Sequence, residues 1–332
     1  MLRRNNLIRP SIRFAGALAL IALSLPVIAQ QDLPAAPAPA ASVSAPAPAP
    51  ILPKPDPANF TAASPTAETV NAFLQTDWGY DDSRIWEVWS IQKTPEQGVS
   101  KVTVLVGDKA GKQKPSVAEF FALPDGKYII AQNELIPFGE HPFADARAIA
   151  QLRADGPYRG SASKDLEIVE FADFQCPHCK LAQPNMDKLV ADFPKARIVF
   201  QTFPLESIHP QAARAAAYGV CVTKQGGSSA FFTFAAAVFD GQDGLASADG
   251  ATLTLNSAVV KAGLDPEKIA ACASEPATSA SVEAMVKLAT DLNILETPTL
   301  LVNGRPVAAN TPYDTLKQII LFQAKLDGVA AQ

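Results

Sequence analysis

The sequence predicts an α/β fold interrupted by a helical insert and preceded by a small α+β domain. Three observations predict it. Ile168 to Phe174 (I-V-E-F-A-D-F) has the length and β-branched or aromatic content of a buried strand; it runs into Cys176-Pro-His-Cys179, and Lys180 to Phe193 then reads as a helix. Ala196 to Phe203 is a second buried strand, after which the chain is mostly helical from His209 to Leu292 before Thr299-Leu-Leu-Val302 returns to strand. Upstream, one helix is followed by strand-like runs between Arg84 and Ile136, the layout of an α+β module.

Residues 1–29 hold Arg3, Arg4, Arg9 and Arg13, an apolar run from Phe14 to Leu25, and Val27-Ile28-Ala29 before Gln30. This is the pattern of a cleaved secretory signal, its apolar run too short for a membrane span, so export to the periplasm or another extracytoplasmic space is expected. Losing the four arginines leaves 24 basic against 33 acidic residues, a net charge of −9. That balance argues against nucleic acid or anionic lipid as a partner. Residues 30–65 are mostly Ala, Pro and Ser, with A-P-A-P-A-P at 45–50. Such a segment cannot bury a core and is expected to be a disordered, partly extended linker.

Residues 66–155 are expected to form the α+β accessory domain. Thr66 to Gln75 suits a helix with Thr66 as its cap and Val70, Phe73 and Leu74 on one side. Strands are expected at Arg84 to Gln92, Ser100 to Val106, Ser116 to Leu123 and Lys127 to Ile136, with turns at Gly107 to Lys114 and Pro124-Asp-Gly126. Asp155 to Ser163 (D-G-P-Y-R-G-S-A-S) reads as a turn-rich hinge into the second domain, 156–332.

The Cys-X-X-Cys falls at a strand-to-helix turn. There the unpaired backbone N–H groups and the positive end of the helix dipole stabilise a thiolate, and Pro177 costs nothing because its missing N–H would have been an orphan. Cys176 is therefore expected to be an acidic, exposed, reactive thiol. Zinc would want four ligands, and Cys221, Cys272, His141, His178 and His209 lack the pairing of a second half-site, so no metal is expected. Covalent haem needs Cys-X-X-Cys-His, and Lys180 occupies the His position. Two structural cysteines without a redox role are the remaining alternative, against which the strand-turn-helix context weighs.

Four features together resemble a DsbA-type thiol–disulfide oxidoreductase of the thioredoxin superfamily, from about Asp165 to the C-terminus. They are C-P-H-C itself, Glu170 six residues before Cys176, the helix-rich stretch from about His209 to Asn293, and Glu296-Thr-Pro-Thr-Leu-Leu-Val-Asn-Gly304. The resemblance implies a thioredoxin-like fold with a helical insert at about 206–293. It implies that His178 donates a hydrogen bond or positive charge to the Cys176 thiolate, making the disulfide a stronger oxidant. It also makes Glu170 a buried acid that moves the proton of Cys179. The alternatives are a solvated His178 and an edge-strand Glu170 facing water. Pro298 is implied to be cis, with Thr297 offering its backbone to substrate; without the resemblance a trans loop proline would be the default. Oxidase members often have Val before this proline and isomerase members often have Thr.

With Cys176 and Cys179 paired, Cys221 and Cys272 are left to form a structural disulfide within the insert, the alternative being two free buried thiols. The layout of the accessory domain, with P-D-G-K-Y-I-I, faintly resembles the domain through which DsbC- and DsbG-like isomerases dimerise, so a homodimer is one reading and an unrelated monomeric domain the other. Expected partners are unfolded or newly exported cysteine-containing proteins and a membrane redox partner that reoxidises the pair, with no cofactor beyond the redox-active Cys176–Cys179 disulfide. Three functions fit: an oxidase that introduces disulfides, an isomerase or reductase that dimerises through the accessory domain, and a non-catalytic peptide-binding chaperone module.

Overall fold

Two five-stranded sheets organise the described residues, 52–112 and 114–332 of a computed structural model. The expected leader and the linker up to residue 51 lie outside the described residues. The first sheet is an antiparallel meander behind helix α1 (Ala67–Trp78): β1 (Arg84–Lys93), β2 (Ser100–Asp108), β3 (Ser116–Ala122), β4 (Tyr128–Ala131) and β5 (Glu134–Pro137). Thr66 caps α1, its side chain accepting from the Thr69 N–H at 3.2 Å, and Val70, Phe73 and Leu74 of α1 pack on Val88, Val102 and Phe120. The run expected as one strand from Lys127 to Ile136 is a hairpin. Gln132 and Asn133 both take positive φ, 50° and 68°, the conformation a two-residue turn requires when it must follow the strand twist.

The linker was expected to remain disordered to residue 65, and here the structure corrects it. Pro57–Asn59 form a 3-10 turn capped by Asp56, Phe60 bridges to Ile91 in parallel, and the Ser100 hydroxyl donates to the Ser64 carbonyl at 2.6 Å. Phe60 and Ala62 rest on the accessory core, so two apolar side chains and a few strand-edge hydrogen bonds are enough to lay this Pro-rich stretch along β1.

Helix α2 (Ala144–Arg153), absent from the sequence expectation, leads into the second sheet, whose strand order is β10-β9-β7-β8-β6. Its strands are β6 (Tyr158–Gly160), β7 (Glu167–Ala172), β8 (Arg197–Thr202), β9 (Thr299–Val302) and β10 (Arg305–Ala308). β7 and β8 are parallel and joined by α3 (Pro177–Asp192), while β9 runs antiparallel to β7. The stretch expected as a hinge is therefore partly sheet: Tyr158 to Gly160 pair with Val199 to Arg197. The β9–β10 turn is Asn303-Gly304, both at positive φ, and a Cβ on Gly304 would lie 2.2 Å from the Phe143 carbonyl, so only glycine lets α2 approach this turn. Helix α8 (Tyr313–Leu326) closes the fold over Leu300, Val302 and Leu189.

Between β8 and β9 lie α4 (Ala212–Asp240), α5 (Ala248–Lys261), α6 (Pro266–Ala273) and α7 (Pro276–Asp291). α4 is two helices joined at Gly227, whose φ of 72° breaks the helical path. A disulfide between Cys221 of α4 and Cys272 of α6, with Cα atoms 6.0 Å apart, ties the insert together.

Arg305 fixes the accessory layer to the second sheet. Its guanidinium is buried, donates to Gln323 Oε1 at 3.0 Å and to the carbonyls of Thr76 and Asp77 in the last turn of α1, and lies 4.4 Å over the Phe143 ring. Free C-terminal carbonyls of one helix thus receive the donors of a strand residue more than two hundred positions away in sequence. All the described residues fall in one compact unit.

The Cys221–Cys272 bridge closes a long loop, with a separation of 51 residues. Replacing both with alanine is expected to lower the unfolding free energy of the full chain by about 2–4 kcal/mol in chemical denaturation.

Candidate active site

β7 is the central strand of its sheet, and every one of its residues is buried. Its C-terminal end delivers Asp173, Phe174 and Gln175 into a turn whose end is Cys176, the N-cap of α3, with Pro177 as the first helical residue. Across from this turn, the loop before β9 brings in Thr297 and Pro298, joined by a cis peptide bond. The Cys176 thiol donates to the Thr297 carbonyl at 3.5 Å. Residues from the two ends of the second domain thus meet at one sulfur.

Both cysteines are free thiols. The expectation of an exposed Cys176 is corrected: only 4% of it is accessible, because the Thr297-Pro298 loop lies against it, while Pro177 and His178 are the exposed members of the motif. Its acidity is as expected. The thiol is lowered to about 5, first by the hydrogen bond from the Cys179 side chain, then by the backbone N–H of Cys179, the Thr297 hydroxyl and the backbone N–H of His178, with burial opposing. The Thr297 hydroxyl is buried and makes no hydrogen bond among the described residues, so it is free to donate to a Cys176 thiolate. His178 therefore acts on the sulfur through its main chain. The imidazole, expected to supply the hydrogen bond or charge, points to solvent.

Cys179 is fully buried and its thiol is pushed far up, by burial first and then by its hydrogen bond to Cys176; the Asp173 N–H donates to its sulfur at 3.4 Å. Two sulfurs in one turn of helix thus have opposite preferences. Glu170 lies beneath them on β7. It is 2% exposed, which removes the edge-strand alternative, and burial raises its carboxyl to about 7 against the pull of the Gln183 amide and Arg159. Gln183 Nε2 donates both to Glu170 Oε1 at 2.8 Å and to the Cys179 carbonyl at 3.1 Å, joining the acid to the thiol's own residue.

Several residues of this site were not anticipated from sequence. Asp173, fully buried, accepts from the N–H groups of Gln175 and Leu205 at 2.7 and 2.8 Å and bonds His209 Nδ1 at 2.8 Å. Gln242, from the insert, donates to the carbonyls of Phe174 and Cys176 at 2.8 and 3.0 Å. Gln175 reaches the insert in turn, donating to the Leu245 carbonyl at 3.1 Å. A second carboxylate in the I-V-E-F-A-D-F run was the available signal for Asp173, and Gln183 stands one helical turn from Cys179; Gln242 had no signal at all. Cys221 and Cys272 stand apart from this centre, bonded to each other in the insert.

An acidic thiol at a helix start, a neighbouring thiol held protonated, a buried acid and a cis-proline loop can together carry out thiol–disulfide exchange. A family model described as thioredoxin matches residues 153–321, and the chain belongs to the thioredoxin family. Its fold is thioredoxin-like with a helical insert. Among curated relatives, the Na(+)/H(+) antiporter NhaA 3 of Salinispora tropica is 30% identical over 147 residues, 44% of this chain and 21% of the antiporter. The chain thus spans about a fifth of the length of that relative. Among the described residues no helix is long and apolar enough to cross a membrane. Similar solved structures include a thioredoxin-like oxidoreductase from Silicibacter pomeroyi, at 24% identity over 51% of this chain and 92% of that one (TM-score 0.44). Another is oxidised BdbD from Bacillus subtilis, at 22% identity over 51% and 93% (TM-score 0.44).

Two pH dependences follow from these thiol and carboxyl environments. Because Cys176 is ionised above about 5 while Cys179 stays a thiol, reduction of the pair takes up one proton per two electrons. Its potential is expected to fall by about 30 mV per pH unit between about pH 6 and 8, half the two-proton slope, in equilibrium titrations against glutathione. Glu170 holds its proton in the folded chain up to about 7 but releases it near 4.5 when exposed. Stability should therefore be lost as pH rises through that window, by on the order of 3 kcal/mol in total. Denaturation of Glu170→Gln from pH 4 to 8 is expected to lack this loss.

Proposed function

We propose that the protein is an extracytoplasmic thiol–disulfide oxidase, which introduces disulfides into newly exported proteins through Cys176 and Cys179. The observation that carries the reading is the opposed acidity of the two sulfurs. An ionised Cys176 stabilises the dithiol form, and a pair whose reduced form is stabilised is a strong oxidant as the disulfide.

The steps follow. A substrate thiolate attacks Cys176 of the oxidised pair; a new S–S bond forms to Cys176 and the bond to Cys179 breaks. Cys179 is a poor leaving group as a bare thiolate because it is buried, and protonated Glu170 beneath it supplies the proton. A second substrate thiolate then attacks the substrate sulfur of the mixed disulfide and Cys176 departs, quickly, because its thiol is lowered to about 5. The substrate leaves oxidised and the protein leaves as the dithiol. A membrane redox partner then restores the disulfide, and no other cofactor takes part. Thr297 and Pro298 border the attacked sulfur and supply backbone for an extended substrate. Leu181, Ile208 and Leu295, each more than 65% exposed and close in sequence to Cys179, His209 and Thr297, offer apolar footing for an unfolded chain.

Location outside the cytoplasm is supported by the leader-like residues 1–29 and by the Cys221–Cys272 disulfide, which is the kind of bond that persists in an oxidising compartment. Thr297 favours a second reading, isomerase, since Thr before this proline is the isomerase habit.

The reduction potential of the pair separates oxidase from reductase, and reshuffling of a scrambled substrate separates oxidase from isomerase. It is expected nearer to about −120 mV, the DsbA range, than to about −270 mV, the thioredoxin range. The chain is further expected to oxidise a reduced multi-disulfide substrate without reshuffling a scrambled one, with Cys176→Ser inactive. Reshuffling by a dimer, detected by light scattering, would instead establish the isomerase.

A further inference from the structure

A cavity of about 180 Å³ lies behind Phe174, between β8, both halves of α4, and α7. One wall is a cluster of phenyl rings in mutual contact: Phe174 and Phe200 have centroids 5.3 Å apart, and Phe200 and Phe231 5.1 Å. An apolar cavity of roughly 150 Å³ already admits benzene, so this one has room for a ring system of one or two fused rings. Space here is kept open by the backbone. A Cβ on Gly219 would press to 3.1 Å from the Phe231 ring and 3.3 Å from the Phe174 ring, and the break at Gly227 separates the α4 residues on one side of the cavity from Phe231 on the other.

Two polar groups give the cavity an inner and an outer end. Thr202 lines it with a buried hydroxyl that makes no hydrogen bond among the described residues. Leaving such a hydroxyl unpaired is unfavourable, and a guest with its own hydroxyl would offset that cost. At the mouth, Lys224 is exposed and makes no ion pair or hydrogen bond among the described residues, whereas Asp155 beside it is engaged by Lys164 at 3.2 Å. The uncompensated charge at the opening is positive.

We infer that this cavity binds a phenolic carboxylate of one or two fused rings, its ring against the contiguous surface of Phe174, Phe200 and Phe231, its hydroxyl on Thr202 and its carboxylate toward Lys224. The site is separate from the sulfur chemistry and does not depend on it. Calorimetric titration of the full chain with 6-hydroxy-2-naphthoate is expected to saturate with one site per chain. Thr202→Val, which keeps the shape and removes the hydroxyl, should weaken this ligand about tenfold and leave 2-naphthoate unchanged. Lys224→Ala should weaken both about threefold at low salt. Val220→Phe, which fills the cavity, should abolish binding while Cys176 alkylation proceeds at the parent rate. Absence of saturation at millimolar ligand, or affinities that neither Thr202→Val nor Val220→Phe alters, would overturn the inference. Because the valine variant is nearly isosteric, the first comparison stands even where the larger substitution fails to fold.

Discussion

A buried turn of helix can hold one negative charge, not two, and this constraint governs the centre. Removing Cys176, Cys179 and Glu170 from water makes each charge costly, so the site selects where a single one is best compensated. Cys176 has the donors: a neighbouring S–H, two backbone N–H groups at the start of α3 and the Thr297 hydroxyl. Cys179 has burial and a sulfur that prefers to accept its proton, and Glu170 has burial and a single amide. Desolvation alone would push all three groups toward neutrality; the uneven distribution of donors leaves one of them ionised and the other two protonated.

The insert belongs to this arrangement as much as the sheet does. Gln242 holds the carbonyls of Phe174 and Cys176, Gln175 reaches back to Leu245, and Asp173 gathers Gln175, Leu205 and His209 around its carboxyl. The turn that carries Cys176 is thus tied to two chain segments that follow β8, one at Leu205 to His209 and one at Gln242 to Leu245. Phe174 continues the linkage as an apolar one, packed on Phe200, Phe231, Phe234 and Phe239. The Cys221–Cys272 bridge holds the scaffold behind this contact, so the helical insertion is a second wall for the turn that carries Cys176.

How far the sequence could be read varied with the range of the forces involved. The strand at Ile168, the helix after Cys179, the second buried strand and the strand at Thr299 are local patterns of apolar spacing and turn chemistry, and each has its element within a few residues of expectation. Glu170 was legible as an acid in an apolar run. By contrast, α2 went unseen because its only buried residue is Ala150, which leaves no apolar stripe to recognise. The hinge expected at 155–163 contained the β6 pairing, since a three-residue strand flanked by Gly and Ser carries turn composition rather than strand periodicity. The linker departs from expectation for the reverse reason: its composition is that of a disordered chain, but Phe60 and Ala62 find an existing core to rest on.

The order of residues was by itself sufficient to locate the Cys-X-X-Cys at the start of a helix, because propensity, capping and apolar period act over a handful of neighbours. Which groups surround the sulfur could come only from the folded chain. Thr297 lies 121 positions from Cys176 and Gln242 lies 66, and no local rule relates them. Burial, too, is a property of the assembled whole. The same Cys176 read as exposed in sequence is covered by a distant loop, and its acidity survives that covering because its donors are covered along with it.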